Sequence, residues 1–176
     1  MHLLFTVTTD LSFDQRMQRI CSSLAHNGYT VTLVGRKKRD SRPLVQQKFI
    51  QKRLKCFFEK GILFYAEYQV RLFFYLVLKR ADLICAIDLD TILPCLLISR
   101  IKSIPRVYDA HELFTEMKEV RSRPAVHMVW SAIERFAVPR FPHGYTVSDG
   151  LRDEFYKRHG VSYSTIRNIP PLDSEP

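Results

Sequence analysis

Short apolar runs alternate with amphipathic stretches along nearly the whole chain. Residues 2–8, HLLFTVT, have the length and composition of a buried strand. The next segment, SFDQRMQRICSSLAHNG, sets Met17, Ile20, Cys21, Leu24 and Ala25 on one face at helical spacing. Ser12 and Gln15 have the spacing of a capping box, and Gly28 suits the position just past a helix end. YTVTLVG at 29–35 predicts a second strand, completing a βαβ unit with a right-handed crossover.

The alternation continues. A basic loop, RKKRDSRP, covers 36–43, and a third strand is expected within 44–58. Residues 60–80 predict one long helix crowded with aromatics, and 82–87 a short apolar strand. A helix follows in DTILPCLLISRIK, where Pro94 falls in the first turn and Asp90 suits the N-cap. Residues 104–109 predict the next strand, followed by a polar, irregular stretch to Arg123. Pro124 opens a helix to about Val138, 143–147 form a sixth strand, and Ser148 is placed to N-cap a helix over 149–160. VSYSTIRN at 161–168 gives a last short strand, and the Pro-rich IPPLDSEP at 169–176 reads as a linker. This order predicts an α/β fold, with a doubly wound, mostly parallel, Rossmann-like sheet between two helix layers.

Such sheets bind ligands beyond the carboxyl ends of their strands. The polar groups at those ends are Thr8, Thr9 and Asp10; Asp88 and Asp90; Asp109, His111 and Glu112; and Ser148 with Asp149. The densest cluster is VYDAHE at 107–112, where an apolar run ends in two carboxylates and an imidazole. His111 either faces a cleft or bonds to a local carboxylate, and an imidazole in a cleft can orient or polarise a hydroxyl. Asp109 either contributes to that cleft or braces the following turn.

Several ligand classes are excluded. The first turn, TVTTDLSFD, has no glycine, so the G-x-G-x-x-G dinucleotide fingerprint is absent. There is no G-x-x-x-x-G-K-[ST] and no G-x-S-x-G, which argues against a P-loop NTPase and an α/β-hydrolase. The chain is basic, with 27 Lys and Arg against 18 Asp and Glu in 176 residues, a formal charge of +9. That balance favours anionic partners. The basic loop lacks interleaved aromatics and a groove-reading helix, so no nucleic-acid partner is expected.

The N-terminus lacks the basic region of a signal peptide, and no charge-free window of about 20 residues predicts a membrane span. Cys21, Cys56, Cys85 and Cys95 show no CxxC and no paired His spacing, which fits a reducing, cytoplasmic setting. In the aromatic helix, Ile62, Leu63, Ala66, Val70, Phe73, Phe74, Val77 and Leu78 form a broad face expected to pack on the sheet. Tyr65, Tyr68, Leu72, Tyr75 and Leu76 leave the other side apolar too. That surplus either packs in the core or docks on an anionic membrane surface beside Arg36, Lys37, Lys38, Arg39 and Arg42.

Several stretches together resemble the N-terminal domain of family-4 retaining glycosyltransferases of the two-Rossmann-domain GT-B architecture. They are DQRMQRICSSLAHNGYTVTLVG, AIDLDTILP, VYDAHELF, TVSDGLRDEFYKRHGV and IRNIPP, in the family's order and over nearly the whole chain. The resemblance implies that His111 lies at the floor of the interdomain cleft, near donor sugar and acceptor hydroxyl, with Glu112 in the same loop. Asp14 and Arg16 match the family's D-x-R opening of the first helix, and Asp88 and Asp90 match an acidic pair. No tightly bound cofactor and no metal are implied.

The resemblance also implies a nucleotide-sugar donor, which members of this family hold mainly on a second Rossmann domain through two glutamates separated by seven residues. Glu59 and Glu67 have that spacing but belong to the aromatic helix region, so the match is treated as chance. Residues 1–168 are then the acceptor-side domain and 169–176 the start of a linker. The expected function is transfer of a sugar to a glycan or lipid-linked acceptor, by a cytoplasmic, membrane-peripheral enzyme whose isolated N-terminal half is inactive. The alternatives are a non-catalytic module for an anionic ligand or partner protein, and a sugar-nucleotide epimerase or phosphorylase on the same plan.

Overall fold

A computed structural model describes residues 1–169. The expected linker at 169–176 lies, apart from Ile169, outside the described residues. The elements in chain order are β1 (His2–Asp10), α1 (Gln15–His26), β2 (Thr30–Lys37), β3 (Ile50–Lys55), α2 (Gly61–Leu78), β4 (Leu83–Ile87) and α3 (Ile92–Ile101). There follow β5 (Arg106–Ala110), the short α4 (Lys118–Arg121), α5 (Pro124–Ala137), β6 (His143–Thr146), α6 (Asp149–His159) and β7 (Ser164–Thr165). The seven strands form one sheet in the order β3-β2-β1-β4-β5-β6-β7, and every pairing is parallel. The doubly wound α/β expectation holds.

Alternation along the strands divides the core in two. Leu4, Val34, Ile84, Ala86 and Tyr108 face α2, α3, α5 and α6, whereas Leu3, Phe5, Leu33 and Cys85 face α1. The α1 side is covered only in part. Over β4–β6 it leaves Leu83, Cys85, Val107 and Tyr145 lining an apolar groove of about 640 Å³. Cys21, Cys85 and Cys95 are buried thiols, as their apolar neighbours imply.

Helix ends follow local chemistry, with two departures from expectation. Asp14, not Ser12, caps α1: its carboxylate accepts the Met17 amide at 3.0 Å. A carboxylate immediately before the helix reaches the free amides, whereas Ser12 sits in the preceding turn and donates to the Arg42 carbonyl. At the other end, the Gly28 amide meets the Ala25 carbonyl and the Tyr29 amide the Leu24 carbonyl. This Schellman closure needs the positive φ of Gly28, +85°. Asp90 does not cap α3 either; it lies in a 3₁₀ turn, Leu89–Thr91, one residue too early. Ser148 does cap α6, accepting the Leu151 amide at 3.3 Å.

The largest correction concerns α2. The buried residues are Phe64, Tyr68, Leu72 and Leu76, and the face expected to pack on the sheet points outward, with Val70 and Phe74 more than half exposed. Glu59 precedes the helix altogether. Both flanks of α2 are apolar, so hydrophobicity alone does not orient it. Shape and one polar contact do: the Tyr68 hydroxyl reaches in to bond the Val7 carbonyl at the end of β1.

Candidate functional site

The carboxyl ends of β1, β4 and β5 open on a cleft of about 840 Å³. Its geometry begins with an irregularity in β1. Thr6 pairs with Val34, but the next pairing is Asp10 with Arg36, so Val7–Thr9 bulge out of the ladder. Gly35 stands opposite the bulge, where an added Cβ would lie 2.7 Å from the Thr9 carbonyl oxygen. Thr9 then donates to Asp14 at 2.7 Å, fixing the start of α1 at the cleft wall. Both residues line the cleft, and both are occupied in shaping it.

Arg16 and Asp109 form the central brace. Two hydrogen bonds of 2.7 Å join the guanidinium to a carboxylate with no exposed surface. Burial works against the Arg16 cation, but the Asp109 carboxylate outweighs it and strengthens its hold on the proton. Asp109 is therefore a support beneath the cleft rather than part of its lining. It ends one residue before Ala110, from which His111 and Glu112 continue into the cleft.

His111 is the exposed chemical group of this floor, with a third of its side chain accessible. Its Nδ1 lies 3.1 Å from Asp88 Oδ1 but out of line for a hydrogen bond, and both atoms are buried without another partner. Asp88 reaches this position at a backbone cost. Its φ of +57° and ψ of 173° belong to a region that non-glycine residues rarely occupy. The Asp88 amide, bonded to the Asp109 carbonyl at 3.0 Å, ties β4 to β5 at this point. Backbone strain of this kind clusters at active sites and ligand clamps.

The charges at the floor are coupled. Burial, together with Asp90 and Glu112 nearby, pushes the Asp88 carboxyl well above the usual carboxylate range. Burial, followed by the Arg16 cation, lowers His111 below its ordinary value of 6.5, so the imidazole is neutral at pH 7. Asp90 is pushed up to about 7, chiefly by burial, while its carboxylate accepts from Thr8 and its carbonyl from Gln69 at 2.6 Å. Asp90 thus ties the ends of β1 and β4 to α2. One oxygen or nitrogen from each of Asp88, His111 and Glu112 falls within 4.8 Å of the others, so among the described residues these three are the groups that could hold a divalent cation.

The basic loop divides. Arg36 and Lys38 line the cleft; Arg36 stacks on Phe64 with its guanidinium carbon 4.3 Å from the ring centre and donates to the Glu59 carbonyl at 3.0 Å. Lys37 and Arg39 face solvent, and Arg42 lies over Phe13. Ser148, the cap of α6, is exposed and outside the cleft lining.

The site also contains residues that sequence reading passed over. Phe13 is 59% exposed at the cleft mouth, an apolar plate of the kind that stacks on a sugar ring. Lys60 lines the opposite wall, and Arg19 donates to Asn168 at 2.6 Å across the cleft edge. The one sequence signal for Phe13 is an aromatic in a polar turn directly before a helix start.

Comparison with known proteins fits this geometry. The chain aligns with sucrose-phosphate synthase of Thermosynechococcus elongatus at TM-score 0.64 and 13% identity, over 98% of this chain and 91% of that one. It aligns with Anabaena Alr3699/HepE, solved with UDP-glucose, at 0.58 and 14%, over 96% and 44%. It aligns with the lipopolysaccharide outer core galactosyltransferase WaaB at 0.60 and 11%, over 100% and 50%. Identities this low establish the fold alone, that of a GT-B Rossmann domain, and the chain spans about half the length of the latter two. No curated protein sequence is a significant match. The profile of Glycosyltransferase Family 4 matches residues 15–172, from the first residue of α1 past the last strand. With that match over most of its length, the chain belongs to Glycosyltransferase Family 4.

Proposed function

We propose that this chain is the acceptor-side domain of a retaining glycosyltransferase, which moves a sugar from a nucleotide-sugar donor to a glycan or lipid-linked acceptor. One observation carries the reading: His111, neutral and partly exposed, sits on a strained, coupled floor at the carboxyl edge of the sheet. A neutral imidazole can accept from or donate to a sugar hydroxyl and hold it in line for transfer. The supporting groups divide the work. Asp88 lies against the ring, the Arg16–Asp109 pair fixes the strand that carries it, and Phe13 offers a face for an acceptor ring. In a retaining reaction of this type the donor phosphate takes the acceptor proton, so His111 positions the reactants and no metal is required.

The donor-binding groups are assigned to a second Rossmann domain, so the 176-residue chain alone is expected not to turn over a nucleotide sugar. The whole reading is tested by sugar transfer in the full-length native protein. His111→Ala should lower turnover on the order of 10²-fold with folding unchanged, and the anomeric configuration of the donor should persist in the product. Unaltered turnover in the variant would remove His111 from the reaction, and an inverted product would end the retaining assignment.

The cleft's cations favour a second reading, a non-catalytic module for an anionic ligand, through Arg36, Lys38 and Lys60. It predicts anion binding by the isolated chain together with the absence of transfer by any longer form.

A further inference from the structure

Helix α2 is long and apolar enough to cross a bilayer, yet it bridges β3 and β4 within the helix layer, and only 22% of it is buried. Its core flank is the row Phe64, Tyr68, Leu72 and Leu76. The outer flank carries Ile62, Leu63, Val70, Phe74, Val77 and Leu78, with exposures from 43% at Val77 to 81% at Leu78. With exposed Ala66 between Leu63 and Val70, these positions follow helical spacing in a stripe along one side of the helix, about 24 Å from Ile62 to Leu78 at the rise of an α-helix. The adjacent α3 extends it with exposed Leu97 and Ile101. The Lys102 ammonium, bonded to the Leu76 carbonyl at 2.6 Å, keeps the two helices side by side. A contiguous apolar surface of this kind is uncommon on a soluble protein without a partner.

Among the described residues, the charges around the stripe that lack an ionic partner have one sign, and Asp82 is held by the His2 amide at 2.6 Å. Lys60 precedes α2, Lys79 and Arg80 follow it, and Arg100 stands at the end of α3, all exposed. The acidic groups are engaged. Glu67 folds back to accept the Phe57 and Phe58 amides and pairs with Arg71 at 2.7 Å, and Glu59 pairs with Arg39 at 3.4 Å. A second copy of the chain would bring like charges together at the ends of the stripe. An anionic surface with an apolar interior matches both features, since apolar side chains enter the acyl boundary while Lys and Arg reach the headgroups.

We propose that α2 docks this protein on an anionic bilayer surface, lying in the plane of the interface. The N-terminal end of α2 is at the carboxyl edge of the sheet, where Gly61, Phe64 and Tyr65 line the cleft. Docking therefore sets the cleft mouth close to the headgroups, where a lipid-anchored acceptor would enter. That last step rests on the transferase reading; the docking itself does not.

The test is co-sedimentation of the chain with phosphatidylcholine vesicles, with and without phosphatidylglycerol. Binding is expected to the anionic vesicles, weakening as salt rises. Val70→Glu with Phe74→Glu should lower it at least about tenfold, and Lys79→Gln with Arg80→Gln on the order of tenfold, with circular dichroism unchanged. All four positions are exposed. In a separate, conservative variant, Phe74→Trp fluorescence should be quenched by brominated phosphatidylglycerol, whereas parental Trp130, 7% exposed, should not.

Absence of vesicle binding overturns the proposal, as does undiminished binding by the double-glutamate variant. A concentration-dependent dimer abolished by Phe74→Glu also overturns it, assigning the stripe to a second copy. Vesicle binding without any transfer activity in the full-length protein leaves docking standing and removes the transferase reading. Transfer without vesicle binding does the reverse.

Discussion

The Arg16 guanidinium holds the Asp109 carboxylate through two parallel hydrogen bonds of 2.7 Å, joining the first turn of α1 to the end of β5. The contact spans 93 positions in sequence and lies directly beneath the loop that carries His111. Asp109 has no exposed surface, and the Arg16 side chain is 13% exposed, so neither charge has water to fall back on. Removing one partner leaves the other buried and uncompensated. Arg16→Gln should therefore cost about 3–5 kcal/mol in urea unfolding of the chain. Arg16→Met combined with Asp109→Leu should cost less than the sum of the single variants, because the double change leaves no stranded charge. Strict additivity would mean that the pair is not coupled.

His111 should report its environment through pH. Its imidazole is held below 6.5, chiefly by burial and then by the Arg16 cation, so the neutral form dominates at pH 7. Transfer by the full-length protein should be level above neutrality, with an acid limb below 6.5. Arg16→Gln removes one of the two lowering influences and should shift that limb upward. A pH profile that is the same in both proteins would disconnect His111 from the rate.

Much of this arrangement was legible in the residues, because strand and helix periods differ and the sheet edge follows from their order. The clustering of Asp88, His111 and Glu112 is a direct consequence of that order. What stayed hidden depends on three-dimensional partners. Asp109 and Arg16 are far apart in sequence, so Asp109 read as either a cleft group or a local brace of the next turn, and its pairing with Arg16 was not visible. Asp14 displaced Ser12 as the cap of α1 because the helix begins at Gln15, later than a cap at Ser12 would place it. The faces of α2 exchanged places because a helix apolar on both flanks carries no orienting pattern, and the Tyr68 hydroxyl bond to Val7 is a tertiary fact. Lys38 and Arg36 share a run with Lys37 and Arg39, and strand alternation together with the bulge in β1 separates them.

Gly35 tests whether the β1 bulge matters. A Cβ there would lie 2.5 Å from Leu11 Cδ2 and 2.7 Å from the Thr9 carbonyl oxygen, and neither the buried leucine nor the backbone has room to retreat. Gly35→Ala should cost about 1–3 kcal/mol of stability and weaken transfer by displacing Thr9 and the cap of α1. Gly150→Ala is the control, since its Cβ meets nothing within 4 Å in the first turn of α6. That change should be neutral or stabilising by up to about 1 kcal/mol. Equal losses at both positions would show that the bulge places no special demand on Gly35.

Asp90 makes stability depend on pH in an unusual direction. Its carboxyl titrates near 7 in the fold, raised chiefly by burial, against 3.8 ordinarily. Between those values the folded state binds a proton that the unfolded chain releases, so this residue's contribution is full below 3.8 and is lost as pH rises through about 7. Asn retains an oxygen to accept from Thr8 but carries no proton to lose. Asp90→Asn should therefore remove this decline, and the variant should gain on the parent by on the order of 2–4 kcal/mol at pH 8. Near pH 4 the two should be close. Unfolding curves in urea across this range decide the matter, and a parallel pH dependence in parent and variant would mean that Asp90 is already ionised where it sits, against the Thr8 hydroxyl.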